Sequence, residues 1–154
     1  MMKSFLVLTC LLALTYAATA ATCTFDILVK TGDRDDAGTD SRISLQVSGA
    51  DGRTLVIRSL KAWGQMSADH DYLERGNLDR FRGSGTCPSG GPCKMLLTSN
   101  GAGNKPGWYV SYVQVTQLGQ ASVSSRTHRW RVEQWLAVDE PPRQLSALRN
   151  DCGF

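Results

Sequence analysis

The chain has 154 residues, 42% hydrophobic and 20% charged, with a formal net charge of +3. A nucleic-acid binder would show a clustered basic stripe with interleaved aromatics. The only local basic concentration is Arg126, Arg129 and Arg131, which reads as a solvated strand edge, so no nucleic-acid partner is expected.

In chain order, Lys3 precedes the uncharged, mostly apolar run from Phe5 to Ala17, and Ala18-Thr19-Ala20 supplies small residues for a signal peptidase. Residues 1–20 therefore read as a cleaved signal peptide. At thirteen residues the run is too short for a membrane span, which needs about 20. Secretion or residence in the ER lumen is the expected destination. Loss of Lys3 leaves 16 basic residues against 14 acidic ones, or +2, on a mature chain of residues 21–154. That length suits one domain able to bury roughly two thirds of its unfolded surface.

Phe25, Ile27 and Val29 alternate with polar or exposed positions, and Ile43, Leu45 and Val47 do the same. This period of two marks strands with one buried face. Ala50-Asp51-Gly52 turns the second strand into Thr54–Ile57, giving a hairpin. Further β-rich runs are Lys94–Thr98, Gly107–Val115, Ser122–His128 and Trp130–Leu136, bounded by Gly, Pro, Asn or Ser. No window reads as a helix. Trp108, Val110 and Tyr112 share one parity while Val113 and Val115 share the other, which predicts a β-bulge near Tyr112. Trp130 and Val132 disagree in parity with Trp135, which predicts a bend in the last strand. The pattern indicates an all-β antiparallel sandwich of two sheets.

Cys10 lies in the leader, leaving Cys23, Cys87, Cys93 and Cys152 for an oxidising compartment. Four cysteines allow three connectivities. The Pro88-Ser89-Gly90-Gly91-Pro92 turn favours Cys87–Cys93, which leaves Cys23–Cys152. A zinc site would need a second closely spaced Cys or His pair, which the sequence lacks.

The densest polar stretch runs from Thr31 to Ser41 and contains Asp33, Asp35, Asp36 and Asp40. A glycine-kinked loop of this kind suits a hard cation such as calcium, which takes six to eight oxygens. The EF-hand is excluded, because the twelfth position counted from Asp33 is Ser44 where a glutamate is required. The competing reading is a turn capped by Asp40 with the other acids simply hydrated. Ser84 lies in Gly83-Ser84-Gly85, which lacks the nucleophile-elbow pattern. His70 and His128 are the only histidines and have no local nucleophile. Glu74 and Asp79 read as surface pairs with Arg75 and Arg80, and Tyr72 and Phe81 as core anchors. Catalysis is not expected. Trp63, beside a weakly polar loop with Met66, either enters a membrane interface or packs over the open end of the sandwich.

Thr31-Gly32, Ala37-Gly38-Thr39-Asp40-Ser41, Tyr72-Leu73-Glu74-Arg75-Gly76-Asn77-Leu78-Asp79, Gly107-Trp108-Tyr109-Val110 and Trp135-Leu136-Ala137, taken in order, resemble the PLAT/LH2 family. The leader, four cysteines and Leu60-Lys61-Ala62-Trp63 look most like its stand-alone plant stress proteins, including the embryo-specific kind. The resemblance implies a sandwich of two four-stranded sheets and a non-catalytic role in abiotic stress. It implies no required cofactor, and as partner a membrane lipid surface or a secretory-pathway protein. It carries no lipoxygenase activity, because the chain lacks the iron-binding helical domain. On family calcium loops it aligns Gly38, Thr39 and Asp40, with Asp33, Asp35 and Asp36 as added oxygens and Asn100 from a second loop. Trp63 and Met66 are the corresponding lipid or partner contacts, with a metal-independent protein-interaction module as the alternative. On such a fold the chain ends are expected close enough for Cys23 to reach Cys152. A small secreted hydrolase is the remaining reading.

Overall fold

The computed structural model describes residues 21–119 and 123–153; the expected signal peptide and Ser122 lie outside the described residues. Eight strands follow in order: β1 Thr22–Thr31, β2 Ile43–Ser48, β3 Thr54–Ile57, β4 Leu78–Thr86, β5 Lys94–Ser99, β6 Trp108–Gln117, β7 Arg126–Leu136 and β8 Ser146–Asn150. They form two antiparallel four-stranded sheets, ordered β4-β1-β6-β7 and β3-β2-β5-β8. The alternation read from Phe25, Ile27 and Val29 and from Ile43, Leu45 and Val47 is what fills the layer between them. Each of these six side chains is at most 2% exposed. Thr31, polar but buried, accepts a hydrogen bond from Trp108 Nε1 at 3.0 Å.

Two strands were not expected, and the run from Ser122 to Leu136 becomes one strand starting at Arg126. In β4 only Asp79 and Phe81 bring side chains to the core, because Gly83 and Gly85 take the next inward positions. A Cβ on Gly83 would fall 2.4 Å from the Trp63 ring, and one on Gly85 the same distance from a Leu55 methyl. The volume is filled from the facing layer, so β4 lacks an apolar pattern. In β8 only Ala147 is buried. Leu60–Trp63 is a short 3-10 turn, not a continuation of β3.

The bulge forms where parity required it. Ser111 is extra on β6 against β1, and β7 shifts opposite the same point, with Glu133 at φ 44. The Glu133 carboxylate accepts hydrogen bonds from the Tyr109 and Ser111 hydroxyls at 2.9 and 3.0 Å. Trp135 keeps plain alternation with the buried Trp130, Val132 and Leu136 and so faces the outer side, where it packs edge-on against Tyr109.

The disulfide expectation is overturned. Cys23 bonds Cys87, and Cys93 bonds Cys152, with Cα–Cα distances of 5.1 and 4.9 Å, so neither Cys87–Cys93 nor Cys23–Cys152 forms. The reason is topological. The segment between Cys87 and Cys93 leaves the first sheet after β4 and enters the second at β5, which puts these cysteines in different layers. Cys23 begins β1, the neighbour of β4, while Cys152 follows β8, the neighbour of β5. The chain ends are thus assigned to different sheets, and each cysteine pairs within its own.

Candidate functional site at the open end of the sandwich

Strand directions place both disulfides at one end of the sandwich. The connections 32–42, 58–77, 100–107 and 137–145 gather at the other. The 32–42 loop is fixed from inside. Ala37 is buried, its amide bonds the Arg34 carbonyl, and its carbonyl accepts from the Tyr109 amide. The Thr39 hydroxyl donates to the Pro106 carbonyl and accepts the Ser41 amide, while the Ser41 hydroxyl donates to the Ala102 carbonyl at 2.7 Å. With Thr39 and Ser41 buried on either side, Asp40 is left facing outward.

The opposite wall comes from residues 70–75. Asp79 is fully buried, and its carboxylate accepts the Leu73 amide at 2.7 Å and meets His70 Nε2 at 2.5 Å. Leu73 adopts φ 67 and is itself buried. The Thr39 amide donates to the Leu73 carbonyl, and Gly38 lies so close to the strap that an added Cβ would sit 2.6 Å from a Glu74 carboxylate oxygen. Two loops far apart in sequence are therefore locked side by side.

The result is an acidic cavity of about 630 Å³ whose lining includes Gly38, Thr39, Asp40, Asp71 and Glu74. One carboxylate oxygen from each of Asp40, Asp71 and Glu74 lies within 4.8 Å of the others. Partial burial, then the negative charges of Asp71 and Asp40, push the Glu74 pKa above its ordinary 4.5. Lys61 and Lys105 offset part of this repulsion, and Arg75 and Lys105 line the same cavity, so three converging carboxylates share it with two cations.

The sequence-derived residues divide. Asp40 is in the triad, and Gly38 and Thr39 line the cavity. Asp35 and Asp36 line the cavity too, but Asp35, like Asp33, is bound by Arg75, at 2.6 and 2.7 Å respectively, and Asp36 pairs with Lys105 at 3.5 Å, all as exposed ion pairs. Asn100 is not brought to the triad. Its side-chain oxygen accepts the Arg42 and Ala102 amides, which makes it a turn cap beside β2 and β5. Asp71 and Glu74, which complete the triad, are not among the residues that the sequence singles out for a cation. Their signal was the placement of Asp71 and Glu74 around a left-handed Leu73, which a linear reading takes for surface charge. Asp79, expected as a surface partner of Arg80, is the buried anchor beneath them.

Trp63 is half-buried with its ring against Gly83 and the core, so packing accounts for it and free exposure does not. Met66 remains 38% exposed, its amide held by the Tyr72 hydroxyl at 2.8 Å. Tyr72 and Phe81 stack at 5.4 Å, as core anchors should. His128 binds Asp151 at 2.8 Å, and Ser84 shares a hydrogen bond with Thr24.

A family profile described as PLAT/LH2 domain matches residues 25–144. The chain belongs to the PLAT/LH2 family. It is 42% identical over 141 residues to PLAT domain-containing protein 1 of Arabidopsis thaliana, covering 91% of this chain and 77% of that protein. It is 46% identical over 104 residues to PLAT domain-containing protein 3 of the same plant, covering 67% and 100%. The sandwich also superposes on the crystal structure of a coral 8R-lipoxygenase with a TM-score of 0.63 at 24% identity, over 82% of this chain and 16% of that one. That likeness concerns the fold. The coral enzyme is described as activated by calcium through a C2-like domain. PLAT domains as a family mediate lipid or protein interaction.

Proposed function

We propose that this chain is a non-catalytic PLAT module of the secretory pathway that docks on an anionic membrane surface through its open end, with calcium bridging the Asp40, Asp71 and Glu74 carboxylates to lipid headgroups. The convergence of those three carboxylates within 4.8 Å carries the reading. Calcium would also find the Gly38–Thr39 backbone at the cavity wall, and three acids with little enclosure suit the weak extracellular range, Kd near 0.1 to 1 mM. The exposed Met66 on the neighbouring loop adds an apolar contact. Two disulfides fit an oxidising compartment and so support export. A contribution to stress tolerance agrees with the stand-alone plant relatives.

Sedimentation of the mature, disulfide-intact protein with phosphatidylserine-containing vesicles tests this. Pelleting is expected with calcium, is lost in chelator, and is lost in Asp40→Asn. Equal pelleting in chelator, or none in either condition, rejects it. One observation favours a metal-independent protein-interaction module instead: Arg75 and Lys105 already neutralise Asp33, Asp35 and Asp36. A bound protein partner that survives chelator, with no calcium heat by calorimetry, would favour that reading.

A further inference from the structure

The outer face of the β4-β1-β6-β7 sheet has a charge pattern unlike the rest of the molecule. Register places Arg80, Leu28, Gln114 and Arg129 in one row across all four strands. The adjacent rows are Arg82-Asp26-Thr116-Thr127 and Leu78-Lys30-Tyr112-Arg131. Five cations thus share the face with two carboxylates, Asp26 and, at the β7 bulge, Glu133. Asp26 is shared between Arg80 and Arg82 at 3.3 and 3.6 Å and is 20% exposed, which leaves a net positive edge on β4. On β7, Arg129 binds the Gln114 oxygen through Nε and one terminal nitrogen and lies 4.4 Å above the Tyr112 ring. Arg131 is 86% exposed and lies 3.8 Å from the Glu133 carboxylate, an ion pair open to solvent.

These contacts orient the guanidinium forks before any ligand arrives, so less side-chain freedom is lost on binding. The two arginine-bearing edges are separated by three strand spacings, roughly 14 Å, and successive outward residues on one edge by about 7 Å. Threonines, Gln114 and Ser84 share the face and suit hydroxyl groups. Leu78 is the one exposed large hydrophobic side chain on it among the described residues, so the face offers little to a bilayer interior. It also looks sideways relative to the loop end, so a module resting on its loops keeps this face free.

We propose that this face binds a linear carboxylated polysaccharide, its uronate groups taken by the arginine forks of β4 and β7. Arginine matches a planar carboxylate bidentately, and a flexible chain can cross the strands from one edge to the other. The site needs no calcium, so it stands or falls separately from the loop-end reading.

Affinity electrophoresis of the mature, disulfide-intact protein in chelator decides the matter, using polygalacturonate and its fully methyl-esterified form as probes. Retardation is expected in polygalacturonate, weakening as salt is raised, and absent in the neutral ester. Arg80→Ser with Arg131→Ser is expected to weaken it at least tenfold, and Arg82→Ser with Arg129→Ser likewise. Arg42→Ser with Arg143→Ser, the same charge change at the loop end, leaves it intact. Circular dichroism checks that each variant is folded. The proposal is overturned if the wild type is not retarded, if the ester retards it equally, or if both face variants match wild type. Calcium-free pelleting with phosphatidylserine vesicles that the face variants abolish, without polygalacturonate binding, would overturn it in favour of a membrane face.

Discussion

The two ends of the sandwich are built on opposite principles. At the closed end, Cys23–Cys87 and Cys93–Cys152 tie each sheet covalently to a chain terminus across sequence separations of 64 and 59 residues. At the open end, Asp79, Thr39 and Ser41 hold the loops by hydrogen bonds to backbone, and the outward acids are paired or left to repel. Covalent closure carries stability without regard to charge, which leaves the far end able to gather negative charge for a ligand. Covalent stability and the proposed binding are thereby separated along the length of the strands.

The strongest way to break this comparison is at the closed end. Replacing Cys23 and Cys87 by Ser, or Cys93 and Cys152, is expected to cost about 4 kcal/mol for loops of this size, read as a fall in the denaturant midpoint. Peptide mapping should recover the 23–87 and 93–152 linkages; a Cys87–Cys93 peptide would contradict the two-sheet assignment. At the open end, Asp79→Ala removes the acceptor of the Leu73 amide and of His70. A loss of roughly 3 kcal/mol is expected, together with weakened calcium binding, whereas an effect confined to stability would unlink Asp79 from the cavity. Gly83→Ala drives a methyl into the Trp63 ring and is expected to cost roughly 1–3 kcal/mol, measurable by thermal unfolding. The smallest effect sharpens the electrostatic half. Because Glu74 has a raised pKa in the folded chain, its contribution favours folding below the ordinary 4.5 and is lost as pH rises through the raised value. Glu74→Gln should flatten this part of the stability profile without calcium, and an unchanged profile would mean the triad is not under charge strain.

Period-two alternation made β1, β2 and β3 readable, because each carries its own inward side chains. The parity break at Tyr112 was readable for the same reason. β4 was not, since its inward positions Gly83 and Gly85 are filled by Trp63 and Leu55 from elsewhere in the chain. At the site, the acidic loop was legible from its residues, and Gly38, Thr39 and Asp40 through the family resemblance. Asp71 and Glu74 were not, because their placement depends on Asp79 being pulled inside, and composition alone gives an aspartate no reason to be buried. The cysteine pairing failed on a similar point. A turn between Cys87 and Cys93 looks local until one knows that it crosses between layers.

That crossing has a mechanical consequence. A pull applied to the two chain ends enters at Cys23, passes through its bond to Cys87, follows the seven residues 87–93, and leaves through Cys93 to Cys152. This short strap, at most about 25 Å long when taut, is the load path. The eight strands and the acidic loops hang beside it and carry none of the tension, so a domain tethered by both termini would keep its binding end intact under force for as long as the sulfurs stay oxidised.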